Sequence, residues 1–204
     1  MTHSTASRRK RSYDPQGTRR RILDVAASEF QNRGYHATSM HDVMRVAVAP
    51  GGSVYHYFPT KKSLGLAVIN ERVAEMVAET WIEPIRTASN TLAAILSVFE
   101  TVANDIERGD GSVSGCPLNN LTLELSLIDP DFQRALSGVF SMWGLAIAQR
   151  LRADLEAGRL DKIRPDELAT FIVASFSGAM ALAKASQSVE PIRTCTRELA
   201  RVLR

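Results

Sequence analysis

The chain has 204 residues, a net charge of +3 and two cysteines. It is long enough for a small domain beside a larger one without disulfide bonds, and so few cysteines suit a reducing compartment. The basic residues 8–11 are not followed by a signal-peptide-like apolar run, and no stretch approaches 18 uninterrupted apolar residues. These features exclude a secreted disulfide scaffold and predict a soluble cytoplasmic protein with no membrane partner.

The charge is divided unevenly along the chain. Residues 1–62 carry eleven Lys and Arg against four Asp and Glu, whereas the rest carry fourteen against eighteen. A basic head on a mildly acidic body indicates that the head meets a polyanion. The alternative is a basic tail that only aids solubility. Residues 1–13 are polar and lack periodicity, which predicts a disordered basic arm able to enter a minor groove.

A first helix is predicted from residue 14 or 18 to about residue 33. Ile22, Ala26 and Phe30 recur at four-residue steps and give it a buried face. Gly34 follows as a natural left-handed cap.

Two short helical patterns then meet at a tight corner within residues 38–62. Thr38 or Ser39 is expected to cap the second helix, and the same helix end can also bind a phosphate. The third helix is expected to start at Pro50, followed by Gly51 and Gly52. Glycines are unfavourable in helices, so their use here indicates close approach of the backbone to bases and phosphates, or simply an extended turn. The pattern is that of a helix-turn-helix.

The segments RRRILDVAASEFQNRGYHATSM and VYHYFPTKKSL resemble the amino-terminal domain of tetracycline-repressor-family (TetR/AcrR) regulators over residues 18–70. The corner departs from that family, because Val48 stands where the family has a glycine that permits positive φ, a conformation that costs a non-glycine residue about 1–2 kcal/mol. The resemblance implies that Ser53 and His56 reach base edges, and that His41 takes the place of an arginine on a guanine. It implies a DNA-binding set of Thr38, Ser39, His41, Gly51, Gly52, Ser53, Tyr55, His56, Tyr57 and Lys61.

The remaining sequence is helical in pattern throughout. It predicts an all-α protein of about nine helices: a disordered arm (1–13), a three-helix helix-turn-helix DNA-binding domain (14–62) and a helical ligand-binding and dimerisation domain (63–204). The fourth helix, about residues 60–82, would connect the two domains. Lys62 is expected to be simply solvated.

The last two helices resemble the pair with which family members build a dimeric four-helix bundle. Small residues on the eighth helix allow close approach of a second helix. The alternative is that these faces pack only within one chain. A two-fold dimer would read a near-palindromic operator with half-sites about 34–36 Å apart.

Cys116 opens a predicted helix at Pro117, where the helix dipole favours a thiolate and would lower the thiol pKa. Relatives with Gly-Cys at this place sense electrophiles or oxidants, which makes a reactive-cysteine switch one hypothesis. The alternative is a small buried residue at a tight helix start.

The resemblance also implies a pocket for a small-molecule effector of unknown identity in the body. Apolar side chains would line it and polar side chains would anchor the ligand, although each apolar residue could instead be plain core. The candidate set is Trp81, Phe99, Cys116, Asn119, Asn120, Glu124, Phe140, Trp143, Phe176 and Met180.

Together these features favour a ligand-responsive regulator, most often a repressor in this family, acting as a homodimer on an operator of double-stranded DNA. An enzyme is disfavoured because the sequence has no phosphate-binding glycine loop, metal-ligand spacing or recognisable Ser/His/Asp arrangement. No metal or cofactor is expected. A helical module whose head binds protein is the remaining alternative.

Overall fold

The computed structural model describes residues 15–109 and 111–202, and within these ranges all regular structure is helical. The predicted basic arm, residues 1–13, lies outside the described residues. The expectation of an all-α fold with about nine helices is confirmed. The helices are α1 (Pro15–Arg33), α2 (Met40–Val46), α3 (Gly51–Tyr57), α4 (residues 61–86), α5 (Thr91–Arg108), α6 (Pro117–Leu125), α7 (Pro130–Glu156), α8 (Pro165–Ser186) and α9 (Glu190–Val202).

Helices α1, α2 and α3 form the head. Ile22, Ala26 and Phe30 of α1 are buried as their spacing predicts. Gly34 ends the helix with φ +89°, a left-handed conformation that only glycine adopts freely. The cap of α2 is Ser39, whose hydroxyl accepts from the N–H of Asp42 at 3.1 Å while the Asp42 carboxylate accepts from the Ser39 N–H at 3.0 Å. This reciprocal pair fixes where α2 begins.

The corner between α2 and α3 keeps its left-handed turn without glycine. Val48 has φ +49° and an 84% exposed side chain. Pro50 lies just before α3 as its cap, with φ −57°, rather than inside the first turn. The corner therefore stores backbone strain at Val48.

Helix α4 runs continuously from the head into the body and contains two π-helical segments, Val68–Val73 and Ala78–Ile82. A π-helical turn shifts the backbone hydrogen bond by one residue relative to an α-helix and is frequent at functional sites. The first segment packs against α1, and the second against α5 and α7. Both departures from α geometry thus fall where the helix contacts another element.

The body is built around α7 and α8, with α9 packed on α8 and α5. Its centre is an aromatic cluster from four helices. The Trp81 ring centroid lies 4.8 Å from that of Trp143, 4.7 Å from that of Phe176 and 5.6 Å from that of Phe99. Edge-to-face contacts of this kind stabilise a core beyond the area they bury.

Within the described residues, α8 is long and apolar enough by length and composition to span a membrane. One side of α8 is buried against α7 and α9, with Ile172 and Ala183 fully covered. Its other side leaves Phe171 and Leu182 half or more exposed. The apolar composition of α8 is therefore that of a core helix whose outer face is also apolar.

Candidate nucleic-acid interface and body cavity

The outer surface of α2 and α3 carries most of the predicted DNA-binding residues. Ser39, His41, Gly52, Tyr55 and His56 are exposed. The remaining half-buried members of the set are Gly51, Ser53, Tyr57 and Lys61. The His56 and Tyr57 rings lie edge to face with centroids 5.1 Å apart. The structure therefore leaves nine of the ten predicted residues at least partly exposed.

Thr38 corrects the predicted set. Its side chain is fully buried, and its hydroxyl donates to the carbonyl oxygen of Gly34 at 2.9 Å. Its backbone N–H donates to the Tyr35 carbonyl oxygen at 3.2 Å. Thr38 secures the turn between α1 and α2 and has no group available to a phosphate.

The two glycines that open α3 have different surroundings. A Cβ at Gly51 would lie 3.3 Å from the Met44 sulfur, so this position is restricted by packing inside the head. A Cβ at Gly52 would have no atom within 4 Å. The absence of a side chain at Gly52 leaves the backbone of the first turn of α3 open to another molecule.

Lys61 is folded back onto the head. Its Nζ donates to the His36 carbonyl oxygen at 3.2 Å and lies 4.4 Å from the centre of the Tyr35 ring. Burial lowers the pKa of Lys61, and the nearby Glu124 carboxylate partly opposes this. A phosphate would have to compete with these contacts for the ammonium group.

Arg45 is a cation of this surface that the predicted set lacks. It lies one turn after His41 on α2, and its side chain is 62% exposed. Its guanidinium is 3.2 Å from the Asp42 carboxylate, whose pKa is held well below its usual range by Ser39 first and by Arg45 as well. The four-residue step from His41 is the sequence signal that could have identified Arg45, since it places both residues on one face of α2.

Five predicted ligand-binding residues meet in the body. Trp81, Cys116, Trp143, Phe176 and Met180 line a partly enclosed cavity of about 170 Å³. Helices α4, α6, α7 and α8 form its walls, and α5 contributes Val102. This convergence of residues from distant parts of the chain defines the apolar site of the body.

The other five predicted ligand-binding residues do not line this cavity. Phe99 is fully buried in contact with the Trp81 and Phe176 rings. Asn119 and Phe140 line a separate open groove of about 630 Å³ between α7 and α8. Asn120 and Glu124 lie at the junction of head and body.

The junction is polar and was not predicted. The Glu124 carboxylate accepts from the backbone N–H groups of Tyr35 at 2.9 Å and His36 at 2.6 Å. The Asn120 amide donates to Gln31 of α1 at 3.2 Å. The two polar residues of α6 therefore fix the body to the end of α1.

Lys62 also belongs to this junction. Its Nζ lies 2.6 Å from the Asp129 carboxylate and 2.6 Å from that of Asp131. The expectation that Lys62 is simply solvated is wrong, because it joins the first turn of α4 to the first turn of α7. No local sequence signal links positions so far apart.

The expected low pKa of Cys116 is also wrong in sign. Cys116 precedes α6 as expected, but only 6% of its surface is exposed. Burial raises the pKa of the thiol, although backbone N–H groups of Asn119 and Leu118 partly offset this. Desolvation outweighs the helix terminus, so the thiol is neutral at physiological pH.

An exposed helix pair with a strained corner, carried on a helical body with an apolar cavity, defines a helix-turn-helix DNA-binding regulator rather than an enzyme. Residues 22–68 match the domain family described as bacterial regulatory proteins, tetR family, and residues 91–198 match the C-terminal domain of LmrA/YxaF-like transcriptional regulators. The chain belongs to the tetR family of transcriptional regulators.

Individual relatives match most of the chain. The chain is 27% identical over 182 residues to the HTH-type transcriptional repressor DhaR of Mycobacterium sp. (strain GP1), covering 85% of this chain and 86% of DhaR. It is 29% identical over 181 residues to the transcriptional regulator AcuR of Cereibacter sphaeroides, covering 88% and 82%. The crystal structure of reduced E. coli NemR matches with a TM-score of 0.82 at 25% identity, covering 90% of this chain and 95% of that one.

Proposed function

We propose that the protein is a cytoplasmic, ligand-responsive repressor that binds a near-palindromic operator as a homodimer and is released by a small-molecule effector. One observation carries the proposal: the body cavity is walled by α4, the helix that begins at the head. Met76, Thr80 and Trp81 of this helix line the cavity. A ligand in the cavity thus acts directly on the element that positions the helix-turn-helix. Repression agrees with the name of DhaR.

The contacts along α4 support transmission from cavity to head. Arg19 of α1 makes a two-pronged ion pair with Glu71 of α4, at 2.7 and 2.5 Å. Arg72 Nε lies 2.6 Å from the Asp24 carboxylate of α1. Because these pairs lie on the turns of α4 that precede the cavity, a displacement of α4 carries α1 with it. The effector shifts the equilibrium only by its difference in affinity for the two states.

We assign DNA contact to the exposed members of the predicted set, with Arg45 added. The functional division is an arm (1–13), a DNA-binding domain (14–62) and a ligand-binding and dimerisation domain (63–204). Gly52 lets the backbone approach the DNA closely. Tyr55 contacts a phosphate, and His56 contacts a base or a phosphate. Few of these side chains can make bidentate base contacts, so operator choice also depends on the arm and on DNA shape.

The homodimer would form through α8 and α9. The outer face of α8 exposes small residues, Ala174, Gly178 and Ala181, between the larger Phe171 and Leu182. Small residues let a second helix approach closely, and the larger side chains supply buried area. The outer face of α9 is charged, with the Arg197 to Glu190 ion pair at 2.5 Å. It suits the polar rim of such an interface.

The test is selection of bound sequences from random double-stranded DNA by the full chain, followed by release assays with candidate effectors. We expect a near-palindrome to be enriched and its affinity to fall steeply with salt. Deletion of residues 1–13 should reduce affinity and selectivity. Failure to enrich any near-palindrome would overturn the proposal.

A redox or electrophile switch through Cys116 is not favoured by any observation in the structure. Burial and the raised pKa of its thiol oppose the thiolate that such chemistry requires. Cys116 instead forms part of the cavity wall.

A further inference from the structure

The size of the body cavity restricts what it can hold. Its volume is about 170 Å³. An apolar cavity of about 150 Å³ in another protein holds one benzene molecule. The space therefore suits a ring or short chain of about seven non-hydrogen atoms.

The charge of an occupant is restricted by the wall. None of the ten described side chains that line the cavity is charged. The thiol of Cys116 stays neutral because burial raises its pKa. An ion in this cavity would lose its hydration without gaining a partner, so a neutral molecule is favoured.

One wall residue has an unused hydrogen-bond donor. Trp143 is 1% exposed, and its indole Nε1 has no hydrogen-bond partner among the described residues. The indole N–H can only donate. A buried donor without a partner is costly, and because Trp143 lines the cavity, an acceptor bound there within reach of Nε1 would remove that cost.

The cavity lies beside an external groove. Thr80 and Val102 line both the cavity and an open groove of about 650 Å³ between α4 and α5. The groove also carries two carboxylates, Glu79 and Asp105. Their charge disfavours the approach of anions. A ligand that entered from this groove would meet the same selection against anions that the wall imposes.

We propose that the cavity takes a small neutral molecule, mostly apolar, with one hydrogen-bond acceptor such as a ketone oxygen that accepts from Trp143 Nε1–H. The inference rests on the proposed function only in assigning this molecule the role of effector. Binding itself is a property of the cavity and is tested separately.

Three probes of about the same size separate the requirements: cyclohexanone, methylenecyclohexane and cyclohexylammonium. Their dissociation constants are measured on the full chain by calorimetry. We expect cyclohexanone to bind about fivefold to tenfold more tightly than methylenecyclohexane, as for one neutral hydrogen bond. The ammonium ion should not bind. Equal affinity of the first two probes, or tighter binding of the ammonium ion, would overturn the inference.

Two matched variants locate the donor. Trp143→Phe should abolish the preference for cyclohexanone and leave the affinity for methylenecyclohexane within about twofold. Trp81→Phe makes the same substitution elsewhere in the wall and should keep the preference. A preference that persists in Trp143→Phe, or disappears equally in both, would refute the assignment to Trp143.

A measurement on the unaltered protein avoids any dependence on folding of the variants. The indole N–H proton resonance of Trp143 should move downfield with cyclohexanone, because a hydrogen bond forms, and much less with methylenecyclohexane. Equal shifts with the two probes would argue against the bond.

A second pair of variants tests the route by which the ligand reaches the cavity. Val102 lines both the groove and the cavity, so Val102→Phe should slow cyclohexanone association about tenfold or more if the ligand enters between α4 and α5. Thr101→Phe adds the same ring to the groove alone and should leave the rate nearly unchanged. If Val102→Phe has no effect, the ligand does not pass this way.

Failure of this inference and failure of the proposed function remain distinguishable. If no probe binds while the chain still selects a palindromic operator, the ligand class is wrong and the regulator assignment stands. If the probes bind as expected but no operator is found, the regulator assignment fails and the ligand class stands.

Discussion

The ring of Tyr35, just after the first helix of the head, lies 5.2 Å from the ring of Phe132 in the first turn of α7, nearly perpendicular to it. Gly65 of α4 makes this contact possible. A Cβ there would lie 2.7 Å from the Tyr35 ring and 3.0 Å from the Phe132 ring. Head, connector and body therefore meet at one closely packed point.

Gly65→Ala should lower the free energy of unfolding by about 1–3 kcal/mol, because the added methyl group overpacks the junction. Gly138→Ala is the control, since a Cβ there has no atom within 4 Å. That change should raise stability by up to about 1 kcal/mol through helix propensity. Denaturant unfolding measures both, and effects of the same sign would contradict the packing argument.

Lys62→Met should destabilise the protein at neutral pH, because Asp129 and Asp131 lose their shared cation. Lys62 holds the pKa of both carboxyl groups below the ordinary value of 3.8. A lowered folded-state pKa stabilises the fold above the unfolded pKa, and that contribution is lost as the pH falls toward the folded value. The stability difference between wild type and Lys62→Met should therefore narrow below about pH 4.

Thermal unfolding of wild type and Lys62→Met between pH 7 and pH 3 measures this effect. Lys61→Met is the control, because Lys61 contacts the His36 carbonyl oxygen and the Tyr35 ring instead. A difference for Lys62→Met that stays constant over this range would show that the ion pairs do not contribute.

Val48→Gly should increase stability by about 0.5–1 kcal/mol. Glycine removes the cost of left-handed backbone, about 1–2 kcal/mol, and adds about 0.4–1 kcal/mol of unfolded-state entropy. Val46→Gly, in the last turn of α2, should instead lower stability by about 0.5–1 kcal/mol. Denaturant unfolding of both variants is the test: the change in the free energy of unfolding should have opposite signs for Val48→Gly and Val46→Gly.

Arg45→Gln should weaken operator binding and reduce the slope of log affinity against log salt by about one, as for loss of one phosphate contact. Arg86→Gln is a matched control, since Arg86 is also 62% exposed and also paired with an acidic residue three positions away. Fluorescence anisotropy at several salt concentrations gives both slopes. Equal slopes for the two variants would remove Arg45 from the interface.

Cys116 should react slowly with iodoacetamide at pH 7 when the protein is folded, because its thiol is buried and its pKa is raised above 9.0. In a Cys195→Ser background, unfolding in urea should accelerate the reaction more than about tenfold. A folded-state rate equal to the unfolded one would restore the reactive-cysteine hypothesis.

Local chemistry explains what could be predicted from the sequence. The helix boundaries follow from caps and periodicity, as with Ser39 before α2 and Gly34 after α1. The exposed face of α3 follows from the spacing of Val54, Tyr55 and Phe58 within a few residues. Such features depend on residues close in the sequence, so they are the same in the folded protein as the sequence predicts.

The misassigned residues depend on distant neighbours. The polar side chain of Glu124 suggests a ligand anchor, but in the fold its carboxylate accepts from the backbone N–H of Tyr35. The start of α6 favours a thiolate at Cys116, but burial of the side chain has the larger effect and raises the thiol pKa. Thr38 had the right chemistry for a cap, yet packing turned it inward and left that role to Ser39.

The two π-helical turns of α4 affect the rotational position of the residues at its two ends. If the hydrogen bonds of a π-helical turn changed from the i→i+5 to the i→i+4 pattern, the following part of the helix would rotate relative to the preceding part. The rotation corresponds to one residue position, about 100° around the helix axis, and the chain would stay helical. One such turn lies against α1 and the other at the cavity wall. Under the proposed function, such a change of register would turn the head relative to the cavity wall without a hinge loop.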